Sequence, residues 1–193
     1  MHNLEIEFKQ LLNEQQFYQI LDDYSAYHQK TYYQTNYYLT HPILEQKKMS
    51  LRVRQKNDYY ELTLKQPQKI GLLETNIDIS QNQFNCIMQG EFLDNEIFEN
   101  LQRMDVTYLE SDLYLTTRRC DIILPEGLLS IDENEYMGKI DYELELEVDQ
   151  YDKGAKFFKK LLEKYDIEYQ ENCDSKIKRL LDYAKEKKAE GND

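Results

Sequence analysis

Tryptophan is absent from this 193-residue chain, and glycine, proline and cysteine are scarce, at six, three and three residues. So little glycine leaves no glycine-rich loop of the kind whose backbone cradles nucleotide phosphates. The cysteines, Cys86, Cys120 and Cys173, are odd in number and far apart. That spacing forms no zinc or dithiol redox motif, and the expectation is a reduced protein of the cytoplasm. The three histidines, His2, His28 and His41, share no metal-ligand spacing and are expected at the surface or in strands. No apolar run approaches the roughly 18 to 20 residues that span a membrane. The first residues run straight into a charged strand with no signal-peptide pattern. Positive charge is also short: 24 Lys and Arg stand against 37 Asp and Glu, a net charge of −13. That balance argues against a general affinity for nucleic acid or an anionic membrane and leaves a local basic pocket open.

What is present is alternation. In "NLEIEFK" (Asn3 to Lys9), Leu4, Ile6 and Phe8 alternate with Glu5, Glu7 and Lys9, which in a strand separates an apolar face from a charged one. "YELELEV" (Tyr142 to Val148) repeats the pattern with three glutamates, and "LRVR" repeats it with two arginines. "MSLRVRQK" and "YYELTLK" are separated only by Asn57-Asp58, a hairpin signal. With those two residues as the loop, Lys56 pairs with Tyr59, Arg54 with Glu61 and Arg52 with Thr63. Arg52, Arg54, Glu61, Thr63 and Lys65 then share one face, and Leu51, Val53, Leu62 and Leu64 share the other.

Around these runs the sequence predicts about eight strands, mostly sequential and antiparallel, and about five helices, an α+β protein. Asn13 with Gln16 is a capping pair for a helix over Glu14 to Tyr24 that carries Phe17, Ile20 and Leu21. Ser80 caps a second helix through Phe84, Ile87 and Met88, and Asp94 to Arg103 forms a third. Two more run from about Asp152 to Tyr165 and from about Ser175 to Lys188. Tyr32, Tyr33, Tyr37 and Tyr38 lie in a strand-forming stretch, Lys30 to Thr40, and are expected to fill core and wall. Cys120, beside Arg119, is expected to be an inert, partly buried thiol. A charged strand face ordinarily meets water. Acidic strands ("EIE", "ELELE") and basic strands ("RVR", "TLK", "TRR") of one sheet also allow the reverse, a closed sheet with a charged channel inside and helices over an apolar outer wall. Alternation alone leaves both arrangements open.

Glu5-Ile6-Glu7-Phe8-Lys9 is an ExExK signature. It is followed in order by "NYY", "LRVR", "LTLK", "LET", "TTRR", "LSIDE", "YMGKIDYELELE" and "DSK". Across essentially the whole chain this series resembles the CYTH family of triphosphate tunnel metalloenzymes, and most nearly its small single-domain bacterial members. The resemblance implies one domain over residues 1–188 with a tail at 189–193, built as an eight-stranded antiparallel β tunnel barrel with a charged interior, covered by amphipathic helices. It implies that Glu5, Glu7, Asp132, Glu143 and Glu145 hold Mg²⁺ or Mn²⁺, and that Lys9, Arg52, Arg54, Lys65, Arg119 and Lys176 grip a triphosphate. Glu5, Glu7, Lys9 and Lys176 are its catalytic set. Glu74 matches a further acidic position, Glu147 offers an alternative register for the ligating pair, and Arg118 competes with Arg119 for the inward position.

The residue types suit that chemistry. Hard cations prefer carboxylate oxygens, guanidinium groups bind phosphate bidentately, and a metal-bound water is a competent nucleophile for the terminal phosphorus. The implied function is hydrolysis of the terminal phosphate of inorganic triphosphate, thiamine triphosphate or a nucleoside triphosphate. Two alternatives stand beside it. A class IV-type adenylate cyclase needs a purine pocket that no motif supplies, and a non-catalytic triphosphate or polyphosphate sensor would have little use for both acidic pairs. The expected partner is a small-molecule triphosphate, with neither nucleic acid nor membrane; the acidic surface leaves room for a protein partner or homodimer without identifying one.

Overall fold

A computed structural model describes residues 2–27 and 30–190, so His28 lies outside the described residues. Its elements are β1 (His2–Glu5), β2 (Glu7–Leu12), α1 (Glu14–Asp23), β3 (Lys30–Thr40), α2 (Pro42–Gln46), β4 (Ser50–Lys56), β5 (Tyr59–Pro67), β6 (Leu72–Ile79), α3 (Gln81–Met88), α4 (Glu96–Gln102), β7 (Glu110–Leu124), β8 (Gly127–Tyr136), β9 (Lys139–Glu147), α5 (Tyr151–Glu163) and α6 (Lys176–Glu190). The class is α+β with antiparallel strands. The strand count is nine among the described residues, where eight were expected, because the opening run breaks at Ile6. Its two halves hydrogen-bond to different neighbours, β1 to β6 and β2 to β9, and a strand that changes partner must interrupt its ladder. Helix α2 is also additional. His41 caps it, its Nδ1 accepting from the Ile43 amide at 3.1 Å, and Pro42 sits in its first turn. Five residues are too few to show helical periodicity in sequence.

The chain divides into two compact units, Met1–Leu4 with Gln34–Tyr114, and Glu5–Tyr33 with Leu115–Asp193. In the first, the strand order is β1-β6-β5-β4-β3, and β4 and β5 form the hairpin in the register expected from their two-residue loop. Asn57 takes the positive φ that such a turn requires. Leu51, Val53, Leu62 and Leu64 are fully buried and pack with Ile87 of α3 and Ile97, Phe98 and Leu101 of α4. Each such side chain contributes about 1.5–3 kcal/mol by leaving water. The apolar face of the hairpin thus lies beneath helices, leaving Arg52, Arg54 and Lys65 on the other.

In the second unit the order is β7-β8-β9-β2. Leu144 and Leu146 of β9 join Phe8, Leu129 and Ile131 under Phe17 and Ile20 of α1 and Phe158, Leu161 and Leu162 of α5. Asn13 and Gln16 form a full capping box at the start of α1. Gly154 allows α5 to approach closely, since a Cβ there would meet Phe8 Cε2 at 2.7 Å and Val148 Cγ2 at 2.6 Å. Helix α6 buries Leu180 and Ala184 and in addition delivers Lys176 and Arg179 of its first turn to carboxylates. It continues to Glu190; residues 191–193 of the expected tail lie outside the described residues. No described helix is long and apolar enough to cross a membrane.

Candidate functional site

Period-two alternation on four paired strands assembles the charged face of the second unit. Arg119 of β7 stands opposite Asp132 of β8, which stands opposite Glu143 of β9. One step along, Lys9 of β2 stands opposite Glu145. Lys176 enters from α6, and its Nζ lies 2.9 Å from Asp132 Oδ2, 3.0 Å from Glu143 Oε2 and 2.6 Å from Glu145 Oε1. The Arg119 fork donates to Asp132 from Nε at 2.8 Å and Nη2 at 2.6 Å, and Nη2 also pairs with Glu145. Lys9 pairs with Glu7. Asp132 and Glu143 are fully buried.

Burial works to raise the Glu145 carboxyl, but Lys176, Arg119 and Lys9 outweigh it and hold Glu145 well below the usual carboxylate range. Glu143 goes the other way. Its burial raises it, with the neighbouring charge of Glu145 adding to the effect against Lys176 and Arg179. Burial alone would lower Lys176 and Lys9; the surrounding carboxylates raise both. Two neighbouring glutamates on one strand are therefore driven apart in proton affinity, a pattern common at functional sites.

In the first unit the charged face of the hairpin is continuous with β3 and β6. Arg54 donates from Nε to Asn36 Oδ1 at 3.0 Å. Lys65 stands opposite Glu74 and pairs with it at 2.6 Å. Burial opposes ionisation of Glu74, yet Lys65, with Arg52 and Asn76 assisting, holds it down to about 2. Three buried donors on this face, Arg52 Nε, Thr63 Oγ1 and Asn36 Nδ2, have no hydrogen-bond partner, and Asn76 stands opposite Thr63 with its Oδ1 enclosed. A cleft of about 240 Å³ in the same unit is lined instead by His2, Leu64, Thr75, Glu96, Ile97 and their neighbours, and contains none of the expected site residues.

The structure thus brings together Asp132, Glu143, Glu145, Arg119 and Lys176, pairs Glu7 with Lys9, and aligns Arg52, Arg54, Lys65 and Glu74 on one face of the first unit. Of the competing arginines, Arg119 belongs to the cluster. Arg118 points to the other face, pairing with Glu133 at 3.0 Å and lying 5.7 Å over the Phe17 ring. Of the three glutamates of "ELELE", Glu143 and Glu145 engage Lys176, whereas Glu147 is exposed opposite Glu7. Glu5 is half-buried at the end of β1.

Among the described residues no three His, Cys, Asp or Glu are grouped as a ready metal site. The point at which Asp132, Glu143 and Glu145 converge is taken by the Lys176 ammonium. The donor chemistry nevertheless fits a hard divalent cation, because all three donors are carboxylates focused on one positive charge.

Sequence reasoning missed Arg179. It donates to Asp141 from Nε at 2.9 Å and Nη2 at 3.1 Å, to Glu143 from Nη2 at 2.6 Å, and to the Asp174 carbonyl from Nη1 at 2.6 Å. The available signals were its place one helical turn after Lys176 and that of Asp141 two residues before Glu143 on the same strand face. Cys173 places its Sγ 3.9 Å from Glu143 Oε1, and burial pushes that thiol up to about 12. Burial likewise raises the Cys120 thiol, as expected of an inert one.

The CYTH domain family model matches residues 3–180. A Bacillus subtilis (strain 168) protein named "Putative triphosphatase YjbK" is 31% identical over 190 residues, covering 96% of this chain and 97% of that protein. A crystal structure of a "putative adenylate cyclase" from Bacillus halodurans superposes with a TM-score of 0.84 at 27% identity, covering 92% of this chain and 97% of that one. A Hippeastrum protein, HpAC1, described as a "putative adenylyl cyclase" with dominant triphosphatase activity, shares the fold. Its TM-score is 0.75 at 21% identity, and the match covers 93% of this chain and 96% of that one.

Proposed function

The chain belongs to the CYTH domain family, and on that premise we propose that it is a divalent-metal-dependent triphosphatase. Its substrate class is inorganic triphosphate, thiamine triphosphate or a nucleoside triphosphate, and water displaces the terminal phosphate. The observation that carries this reading is the convergence of Asp132, Glu143 and Glu145 on a single cation. The Bacillus subtilis relative, similar over nearly its whole length, is named for the same activity. The protein would act in the reducing cytoplasm, in keeping with its three free thiols.

Asp132, Glu143 and Glu145, with Glu5 and Glu7, would hold Mg²⁺ or Mn²⁺, which when bound neutralises phosphate charge and lowers the pKa of water. Arg52, Arg54 and Lys65 bind phosphate oxygens, the guanidinium forks fixing orientation and the lysine adding a mobile charge. Arg119, Lys9 and Lys176 oppose the negative charge that otherwise repels the nucleophile. Their own carboxylate partners hold these cations in place before substrate arrives, which is electrostatic preorganisation. The bond from the terminal phosphorus to its bridging oxygen breaks, and orthophosphate and a diphosphate leave.

The name of the Bacillus halodurans relative raises a second reading, a nucleotide cyclase. One experiment separates the two: a panel of triphosphates with Mg²⁺, Mn²⁺ and Ca²⁺, followed for orthophosphate, pyrophosphate and cyclic nucleotide. Orthophosphate release with Mg²⁺ or Mn²⁺ is expected. Cyclic AMP with pyrophosphate from ATP, or orthophosphate release undiminished in thorough chelation, overturns the proposal.

A further inference from the structure

Asn36 on β3 and Thr63 on β5 carry no charge and were given no role within the "NYY" and "LTLK" runs that contain them, yet both are fully buried on the charged face of the first unit. Asn36 stands directly opposite Arg54, and Thr63 directly opposite Arg52. Asn36 uses its Oδ1 to accept from Arg54 and leaves its Nδ2 without a partner. Thr63 Oγ1 has none, and neither has Arg52 Nε beside it. A buried polar atom without a hydrogen bond is destabilising, and nearly all such atoms in folded proteins are paired. Here three donors of that kind stand on adjacent strands of one sheet face, flanked by Arg54 and Lys65. Donors in this excess, set against one enclosed acceptor, Asn76 Oδ1 on the strand position opposite Thr63, call for an anionic oxygen-rich ligand.

We propose that Asn36 and Thr63 are phosphate-binding residues, donating from Nδ2 and Oγ1 to non-bridging phosphate oxygens alongside Arg52 Nε. The assignment rests on the triphosphatase reading and deepens it. Charged side chains supply most of the attraction to a polyphosphate, but long cations attract anions of many shapes. Short neutral donors fixed on strands are rigid, and they discriminate by geometry. Atoms so enclosed are reached when Arg52 and Lys65, both long and rotatable, turn toward an arriving anion. The free protein then carries a local cost that the ligand relieves.

That cost gives the test a signature which a structural role lacks. Thr63→Val removes the hydroxyl at nearly constant shape, Thr63→Ser restores it, and Asn36→Asp keeps the acceptor for Arg54 while abolishing the Nδ2 donor. Binding of inorganic tripolyphosphate, thiamine triphosphate and ATP is measured by calorimetry in EDTA, and KM and kcat for their hydrolysis with Mg²⁺. The expected result is a Kd and KM raised about tenfold for T63V and more for N36D, with kcat less affected. T63S should bind close to the parent. The free T63V protein should melt no lower than the parent. If T63V does not fold, N36D carries the binding arm. A parent that neither binds nor hydrolyses tripolyphosphate, thiamine triphosphate or ATP overturns the triphosphatase reading, and this assignment with it. A parent that binds, with T63V and N36D binding equally well, overturns this assignment alone. So does a T63V that loses several degrees of melting temperature while T63S fails to restore binding.

Discussion

On the acidic face of the second unit, Lys176, Arg119, Arg179 and Lys9 each sit on at least one carboxylate, and Lys176 sits on three. On the basic face of the first unit, Lys65 has Glu74 and Arg54 has Asn36, but Arg52 Nε, Thr63 Oγ1 and Asn36 Nδ2 are enclosed without partners. Each face is built on strands of alternating pattern over a helix-covered apolar core, so the difference lies in how polar groups are satisfied. A fully paired network rigidifies its members, and removing one partner leaves an uncompensated buried charge. A face with surplus donors keeps part of its interaction energy for a ligand. The second unit is therefore expected to break when altered, and the first to lose affinity.

The sharpest way to break that contrast is at Lys176. Lys176→Met leaves Asp132, Glu143 and Glu145 facing one another, at a cost of about 3–5 kcal/mol in stability. Turnover should fall on the order of 10²- to 10³-fold with the loss of a charge at the phosphate. Glu145→Gln separates the two effects in part, since the amide oxygen still accepts from either Lys176 or Arg119, although its NH2 turns toward the other. It should keep most of the stability and still lose about 10²-fold in kcat. Kinetics beside thermal melting checks this, and an E145Q enzyme within threefold of the parent would remove the acidic face from catalysis.

In the first unit the effects should be on binding. Arg52→Ala and Arg54→Ala should each raise KM by roughly 10- to 100-fold, the worth of a charge-assisted hydrogen bond. Their stabilities should differ, which sharpens the comparison within one face. R54A strips Asn36 Oδ1 of its donor and should cost about 1–3 kcal/mol, whereas R52A should cost less, since Arg52 Nε has no hydrogen bond to lose and only the weaker attraction to Glu74 goes with it. Equal melting temperatures for the two variants would contradict the pairing described here.

The hairpin was legible residue by residue, because a two-residue loop fixes register and register fixes faces. The caps at Asn13 and Ser80 were legible because the capping box is a local chemical pattern, complete within four residues. The choice between Arg118 and Arg119 was not. Adjacent strand residues point oppositely, and only the pairing of β7 with Asp132 on β8 decides which one joins the cluster. Arg179 was missed because a lone arginine in a charged helix looks like a solvated face until Asp141 and Glu143 are placed beside it. Asn36 and Thr63 escaped for a different reason: a neutral polar residue has no charge to announce it, and its lack of a partner exists only in three dimensions.

Acid should expose the half-buried ion pair of Lys65 with Glu74 in the first unit. The folded Glu74 carboxyl is depressed to about 2 from 4.5, so its stabilising contribution is complete above about pH 4.5 and is lost as pH falls toward 2. Glu74→Gln should flatten the stability profile across that window and leave it little changed at neutral pH relative to its own plateau. Chemical denaturation at several pH values reads this directly, and a profile as steep as the parent's would assign the acid sensitivity elsewhere.

The smallest effects separate the units in another way. Asn13 caps α1 in the second unit and Ser80 caps α3 in the first, each through the same two reciprocal bonds: the Gln16 and Gln83 amides donate to the caps at 2.8 and 3.2 Å, and the cap amides return to the glutamine side chains at 3.0 and 2.8 Å. Neither residue touches the charged faces, so Asn13→Ala and Ser80→Ala should leave KM and kcat unchanged. Each should cost about 1 kcal/mol, or roughly 2–4 °C in a chain of this size. If the two units unfold as one cooperative body, both substitutions shift the same single transition by similar amounts. If they unfold separately, N13A lowers one transition and S80A the other, and calorimetry resolves them. Equivalent chemistry at two sites thus turns a small energy into a probe of cooperativity, because only the location of the lost bond differs between the variants.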